Sequence, residues 1–385
     1  MEICQADYGI IKKDLDDLRE LLVRTKTKAE NNCCFNSIYA LNLLCDALNG
    51  DKFSNYLSVV KDNRAKYFES LLFTKRHKEM FINTFLNNKK LIAKLSDEYA
   101  NLYRKYIFEN KLYDNYSDII FSKEDARLIL YDFFERYHPN DLEYVDQLIC
   151  NKRILQVSSI DLFDGIWFNI YNKQPIILVK GNNYSIKSLV SIIHELGHAV
   201  DFRNISKNYS VNVSEKYYYC SNYLEFLPRL YEKQALEYFY HFHFDDSYVL
   251  TLLQDYYFTT YYDWLQTYIF SLLPNHIIEK NKYLKVNKDY IKLLIPVEKR
   301  SLSLDDCIDY SDLDLKTSFT YGLSGLLATV CDSKIKDNSG DAKNLYENIM
   351  ANRLGLFKPD IFRDLNLTDD DIEKCLRKEI NFLAK

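Results

Sequence analysis

The stretch SIIHELGHAVDF, residues 191–202, decides how the rest of the chain is read. Around it, Ile186, Leu189, Val190, Ile193 and Val200 recur at helical spacing, and Ser185 stands where such a helix needs an N-cap. Residues four apart on a helix lie one turn along and about 40° around its axis, so the imidazoles of His194 and His198 converge on one point. Two converging imidazoles are the start of a zinc site. Glu195, beside the first of them, projects toward the adjacent face, where a carboxylate serves as a base rather than a ligand. Gly197 between the histidines costs roughly 1 kcal/mol of helix propensity relative to Ala, which implies close packing at that point.

Outward from this helix the pattern changes twice. Between residues 154 and 184, β-branched and aromatic runs broken by Gly165, Pro175 and Gly181 predict short strands. The run PIILVK, residues 175–180, lies just before the motif helix. It either offers its edge to an extended peptide or only supports the helix. From residue 8 to about 150, and again after 203, apolar residues spaced three and four apart predict helices, as in LIAKLSDEYANLYRKYIF at 91–108. Glycine (9) and proline (6) are too scarce to punctuate many strands. The expected architecture is mainly α, with a small β-sheet beside the motif helix. An N-terminal helical lobe is expected over 1–150 and a catalytic domain over 151–385, with the active site in a cleft between helical lobes.

Composition removes several classes of function. The 385 residues are 47% apolar and 27% charged, as in an ordinary folded protein. The net charge of −5 comes without a long block of either sign, so neither nucleic acid nor an anionic membrane is an expected partner. Nine cysteines with no C-x-x-C pair read as reduced, mostly buried thiols. The opening MEICQADYGIIKKDLDDLRE carries charges where a signal peptide needs an apolar run, and no stretch approaches the roughly 20 apolar residues of a membrane span. A cytoplasmic location is expected.

Zinc needs a third protein ligand while keeping one position open. The acidic residues downstream are Asp201, Glu215, Glu225, Glu232 and Glu237. Asp201 follows too closely on the same helix to be chosen, although it can orient a histidine through a hydrogen bond.

The segments SIIHELGHAVDF (191–202), YLEFLPRLYE (223–232) and YENIMANRLGLFKPDIFRDLNLTDDDI (346–372) resemble the M3 metallopeptidases, the family of oligoendopeptidase F and thimet oligopeptidase. The resemblance covers roughly residues 155–375 and implies a helical, zincin-type fold. In that family a second helix supplies a metal-binding glutamate with another glutamate seven positions on; Glu225, Pro228 and Glu232 match this pattern. The resemblance therefore implies a single Zn2+ held by His194, His198 and Glu225, with Glu232 supporting from behind. In TSFTYGLSGLLATV (317–330), Tyr321 falls where the family places a tyrosine that steadies the oxyanion.

The chain departs from the family in having Asp201 three positions after the second histidine, a place often held by histidine. The glycine pair of the tail is reduced to Leu354-Gly355, and the helical region before the motif is shorter. The expected function is zinc-dependent endopeptidase activity on short peptides, with Glu195 as catalytic base and Tyr321 at the carbonyl oxygen. Two alternatives stand beside it: a zinc hydrolase of a different amide substrate, and a catalytically silent helical peptide-binding protein.

Overall fold

With so little glycine and proline to interrupt them, the segments of helical spacing fold as long helices. The computed structural model describes residues 4–5, 8–48, 83–95, 119–157, 164–181, 183–207, 224–242, 246–272, 275, 315–337, 340–352 and 361–383. Over these the chain is mainly helical with two small sheets. Glu215, the Leu354-Gly355 pair and residues 96–108 lie outside the described residues. No described helix is long and apolar enough to cross a membrane.

The chain divides into two compact units. The first comprises Met1–Leu72, Ser117–Tyr219 and Gln234–Asp246. Its strands are β1 (Cys4–Gln5), β2 (Ile120–Phe121), β3 (Ile154–Val157), β4 (Gly165–Phe168), β5 (Ile176–Lys180) and β6 (Tyr184–Ser185). Its helices include α1 (Tyr8–Arg24), α2 (Lys28–Leu48), α3 (Lys123–Tyr137), α4 (Leu142–Cys150) and α5 (Ile186–Ser206). The larger sheet runs in the order β1-β3-β5-β4, with β3 parallel to both β1 and β5 and β4 antiparallel to β5. Strands β2 and β6 form a separate antiparallel pair.

Of the two readings of Pro175–Lys180, this order excludes the one in which the strand offers an edge and leaves the one in which it supports the helix. Strand β5 is interior, paired to β3 with Leu155 opposite Leu178 and to β4 with Trp167 opposite Ile177. The edge beside it is β4. A strand covered on both faces reads as a continuous apolar run, and Ile176–Val179 is one, every residue buried. Ile176 and Leu178 join a core with Leu155, Phe168 and Ile170 from the sheet side and Ile11, Leu15, Leu18, Cys34 and Leu41 from α1 and α2. The alternating residues Ile177 and Val179 face the other way, toward α5, which packs on both β4 and β5. Ion pairs from Asp14 to Arg153 and from Asp17 to Lys173 tie α1 to the ends of β3 and of the β4–β5 turn.

The second unit comprises Phe73–Tyr116, Cys220–Lys233 and Ser247–Lys385. It contains most of α7 (Asp246–Leu272), then α8 (Leu315–Lys336), α9 (Gly340–Asn352), α10 (Ile361–Asp364) and α11 (Asp369–Leu383). Helix α6 (Phe226–His241) counts with this unit as far as Lys233 and with the first from Gln234 onward. Helices α7 and α8 approach closely at two glycines. A Cβ at Gly322 would stand 3.0 Å from the Trp264 nitrogen, and one at Gly325 2.7 Å from Thr260 Cγ2. A buried ion pair from Lys233 to Asp332 joins α6 to α8.

Candidate metal centre

Helix α5 begins where the Ser185 hydroxyl accepts the Ser188 N–H at 3.2 Å and the Ser188 hydroxyl accepts the Ser185 N–H at 2.8 Å. This reciprocal cap fixes the start of the helix and with it the face that each later residue occupies. Two turns on, His194 and His198 stand one above the other, their rings 5.2 Å apart between centroids and inclined at 77°. Glu225, which precedes α6 and is only 3% exposed, completes a group. One ligand atom from each of His194, His198 and Glu225 lies within 4.8 Å of the other two.

The donor set suits zinc: two imidazoles and a carboxylate are the three protein ligands of many catalytic zinc sites. Ligand bonds of about 2.0–2.2 Å place tetrahedral donors roughly 3.4 Å apart.

Glu195 is buried, at 7% exposure, on the turn that carries both histidines. Its side chain lies against the bare Cα of Gly165 at the start of β4: a Cβ there would be 2.9 Å from Glu195 Cγ and 3.0 Å from Oε1. The next inward residue of the same strand, Trp167, holds its ring tilted against the His198 imidazole at 6.2 Å and against Phe202 at 5.4 Å. Edge strand β4 thus walls the motif helix with one residue that leaves room and one that fills it. Sequence reasoning singled out Gly165 only as a strand breaker. Asp201 is buried on α5, three residues beyond His198.

Around Glu225 the second unit supplies a fixed cation. Arg229 sits one turn further along, its N–H donating to the Glu225 carbonyl at 2.9 Å. Its buried guanidinium donates to Glu232 at 2.9 Å, to the Tyr256 carbonyl at 3.0 Å and to the Thr260 hydroxyl at 2.5 Å, and lies 4.0 Å over the Tyr256 ring. Burial works against the Arg229 charge, yet Glu232, Asp263 and Glu225 more than offset it and raise its pKa. Burial pushes the Asp263 carboxyl up to about 7, with Arg229 pulling it down and Glu225 pushing it further up. Glu232, seven residues after Glu225, is therefore the acceptor of Arg229. Sequence reasoning missed Arg229, whose α7 partners lie 27 and 31 residues away.

Tyr321 lies on α8 beside Gly322 and is 37% exposed. Its assignment to an oxyanion rests on the resemblance, not on any contact described above.

Neither a protein-family model nor a curated protein matches the sequence. Among solved structures, a protein of Chlamydophila abortus assigned as a peptidase is 14% identical with a TM-score of 0.49, over 82% of this chain and 57% of that one. A Bacillus anthracis protein assigned as oligoendopeptidase F is 14% identical with a TM-score of 0.48, over 92% and 62%. PZ peptidase A, solved with an inhibitor, is 14% identical with a TM-score of 0.49, over 98% and 77%. The chain spans 57% and 62% of the length of the first two. At this level of similarity, what the molecule does is argued from its own side chains.

Proposed function

We propose that this chain is a zinc-dependent endopeptidase of the M3 type that hydrolyses peptide bonds in short peptides. The observation that carries the reading is the gathering of His194, His198 and Glu225 around one point, with Glu195 on the turn between the two histidines. Three protein ligands leave a fourth position open, which separates a catalytic zinc site from a structural one.

When bound, zinc supplies Lewis-acid chemistry, polarising a peptide carbonyl and lowering the pKa of water. The remaining steps belong to side chains of this chain. The Glu195 carboxylate accepts the proton of the attacking water and returns it to the leaving amine. Its burial beside Gly165 and β4 keeps bulk water from competing for that proton. The Tyr321 hydroxyl donates to the carbonyl oxygen as negative charge develops there. An extended peptide adds along edge strand β4, antiparallel to β5 in the sheet, so that its main chain passes the residue that packs on Glu195.

The test is metal analysis of the purified chain combined with turnover of internally quenched peptides. One zinc per chain, cleavage abolished by a chelator and restored by zinc, and a Glu195→Gln variant that keeps zinc but loses on the order of 10²–10⁴-fold in kcat are expected. A Glu195→Gln variant with parental turnover defeats the mechanism. Zinc without cleavage of any peptide favours a binding protein instead.

A further inference from the structure

The geometry points to a carboxylate-binding pocket at the start of β4, where Lys187 and Lys180 receive an acidic side chain or the free C-terminus of a substrate peptide. The carboxylate it takes lies about three residues to the C-terminal side of the bond that is cut; this rests on the peptidase reading above. The pocket is open, holds about 330 Å³ and is lined by Ile120, Asp164, Lys180, Asn183, Lys187 and Ser191, among others. That volume corresponds to roughly ten molecules of liquid water, room for a side chain or a chain end rather than for one ion.

Its place in the fold ties it to the metal centre. Lys187 stands on α5 seven residues before His194 and eleven before His198. At about 100° per residue those spacings return to within about 20° of the same direction, so Lys187 and both imidazoles share one stripe of the helix. At about 1.5 Å per residue, Lys187 lies roughly 10 Å along the axis from His194, the length of about three residues of extended peptide. On the sheet side, Asp164 directly precedes Gly165, the residue that packs on Glu195, and its carboxylate accepts from the Lys187 ammonium at 3.1 Å. The Asp164 carbonyl accepts the Lys180 N–H at 2.9 Å, which brings the end of β5 to the same rim.

A strand added to β4 pairs more stably antiparallel than parallel, and antiparallel addition carries the C-terminal part of the substrate toward the Gly165 end. The charge at that end is two lysines against one aspartate. Asp164 and Lys187 are each 53% exposed, so their pairing is a weak surface attraction, and it leaves two of the three ammonium donors to a substrate. The Ser188 N–H is already taken by the Ser185 cap, so the lysines rather than the helix end supply the attraction. Ile120, an exposed apolar residue, walls the pocket where the methylene carbons of a glutamate would pass.

Quenched peptides of one length with amidated C-termini, carrying Glu or Gln at a single position on either side of the scissile bond, test this through the ratio of kcat/KM for Glu over Gln. Product masses locate the cut in each peptide. Exposed ion pairs are modest attractions, so a ratio of roughly 2–10 is expected at about the third position beyond the cut. It is expected to fall to near unity in the Lys180→Met/Lys187→Met double variant and below unity in Lys187→Glu. It should rise in Asp164→Asn, where the competing carboxylate is gone, and decline between about 0.05 and 0.5 M salt. A second series, Gln peptides that end at the third position with a free or an amidated C-terminus, distinguishes a side chain from a chain end as the source of the carboxylate. Each ratio is taken within one variant, so a general loss of activity cancels.

A gain in either series that the double variant abolishes supports the pocket. A preference that survives the double variant, or one that appears only on the N-terminal side of the cut, overturns the proposal. If the double variant fails to fold by circular dichroism, Lys187→Glu decides the matter: a ratio below that of the parent supports the pocket and an equal ratio overturns it. A parent that cleaves none of the peptides sinks the peptidase reading and this inference with it. A parent that cleaves them all alike sinks only this inference.

Discussion

Adding one methyl group at position 165 tests how closely the proposed base is held. The Cβ of Gly165→Ala would lie 2.9 Å from Glu195 Cγ, 3.0 Å from Oε1 and 3.4 Å from Cδ. Carbon atoms in contact prefer about 3.5–4.0 Å, so the Glu195 side chain must retreat by roughly 0.5–1 Å. Displacements of that size in a reacting group can cost up to about 10²-fold in rate. A fall in kcat of roughly 10–100-fold is therefore expected, with zinc content unchanged because neither histidine nor Glu225 is touched. Stability should change little: overpacking costs about 1–3 kcal/mol, while replacing glycine in a strand regains about 0.5–1 kcal/mol.

The assay is steady-state cleavage of a quenched peptide beside metal analysis and thermal melting. Shortening the base by one carbon sharpens it further. In Glu195→Asp the crowded Cγ becomes the carboxyl carbon of a shorter arm, so adding Gly165→Ala should cost much less than in the parent. A Gly165→Ala enzyme with parental kcat, or a full loss in the Glu195→Asp background, would falsify the packing argument.

The remaining predictions read out other parts of the molecule. Trp167 packs on His198, and in a Trp264→Phe variant it is the sole tryptophan of the chain; its emission should change on zinc addition and saturate at one equivalent, and a flat titration argues against His198 as a ligand. His198→Ala should lose zinc on dialysis while keeping its helical circular dichroism. Burial raises the Asp332 carboxyl, but Lys233 and Lys336 outweigh that and hold it at about 2, below the ordinary value of 3.8. A folded pKa below the unfolded one contributes stability that is present above about pH 4 and lost as pH falls toward 2. Urea unfolding across that window should show the decline, and it should be absent in Asp332→Asn. That variant should also be less stable by roughly 3–5 kcal/mol at neutral pH, because it removes a charge partner of the fully buried Lys233.

Much of this half of the molecule is legible in the sequence because its signals are local. The cap at Ser185, the apolar stripe and the two histidines one turn apart all fall within 16 consecutive residues of one helix and its cap. Strand order is not local. The apolar run of β5 carries the signature of an interior strand, but which strands flank it depends on residues outside the run. The role of Gly165 was invisible because the atoms it makes room for are 30 residues away in the chain. The convergence of Glu225 on the histidines has no periodicity to announce it, and only resemblance pointed there. Arg229 looked like any charged residue on a helix; its burial depends on α7. Tyr321 is one of 33 tyrosines, so its residue type alone carries almost no information.

The reciprocal contact between Gly165 and Glu195 also bears on how the molecule comes together. Strands β4, β5 and β6 and helix α5 form one uninterrupted span from 165 to 206, and its internal contacts close over short loops. Short-range contacts form quickly because little chain entropy is lost in closing them. The base, its glycine wall and both imidazoles can therefore be assembled early, as a preformed half-site. The carboxylate, Glu225, lies outside this span, at the head of the helices that run from residue 226 onward. Metal arriving after the first half has formed would act as a late clasp, and its absence would be felt as local opening near Glu225 rather than as loss of the motif helix.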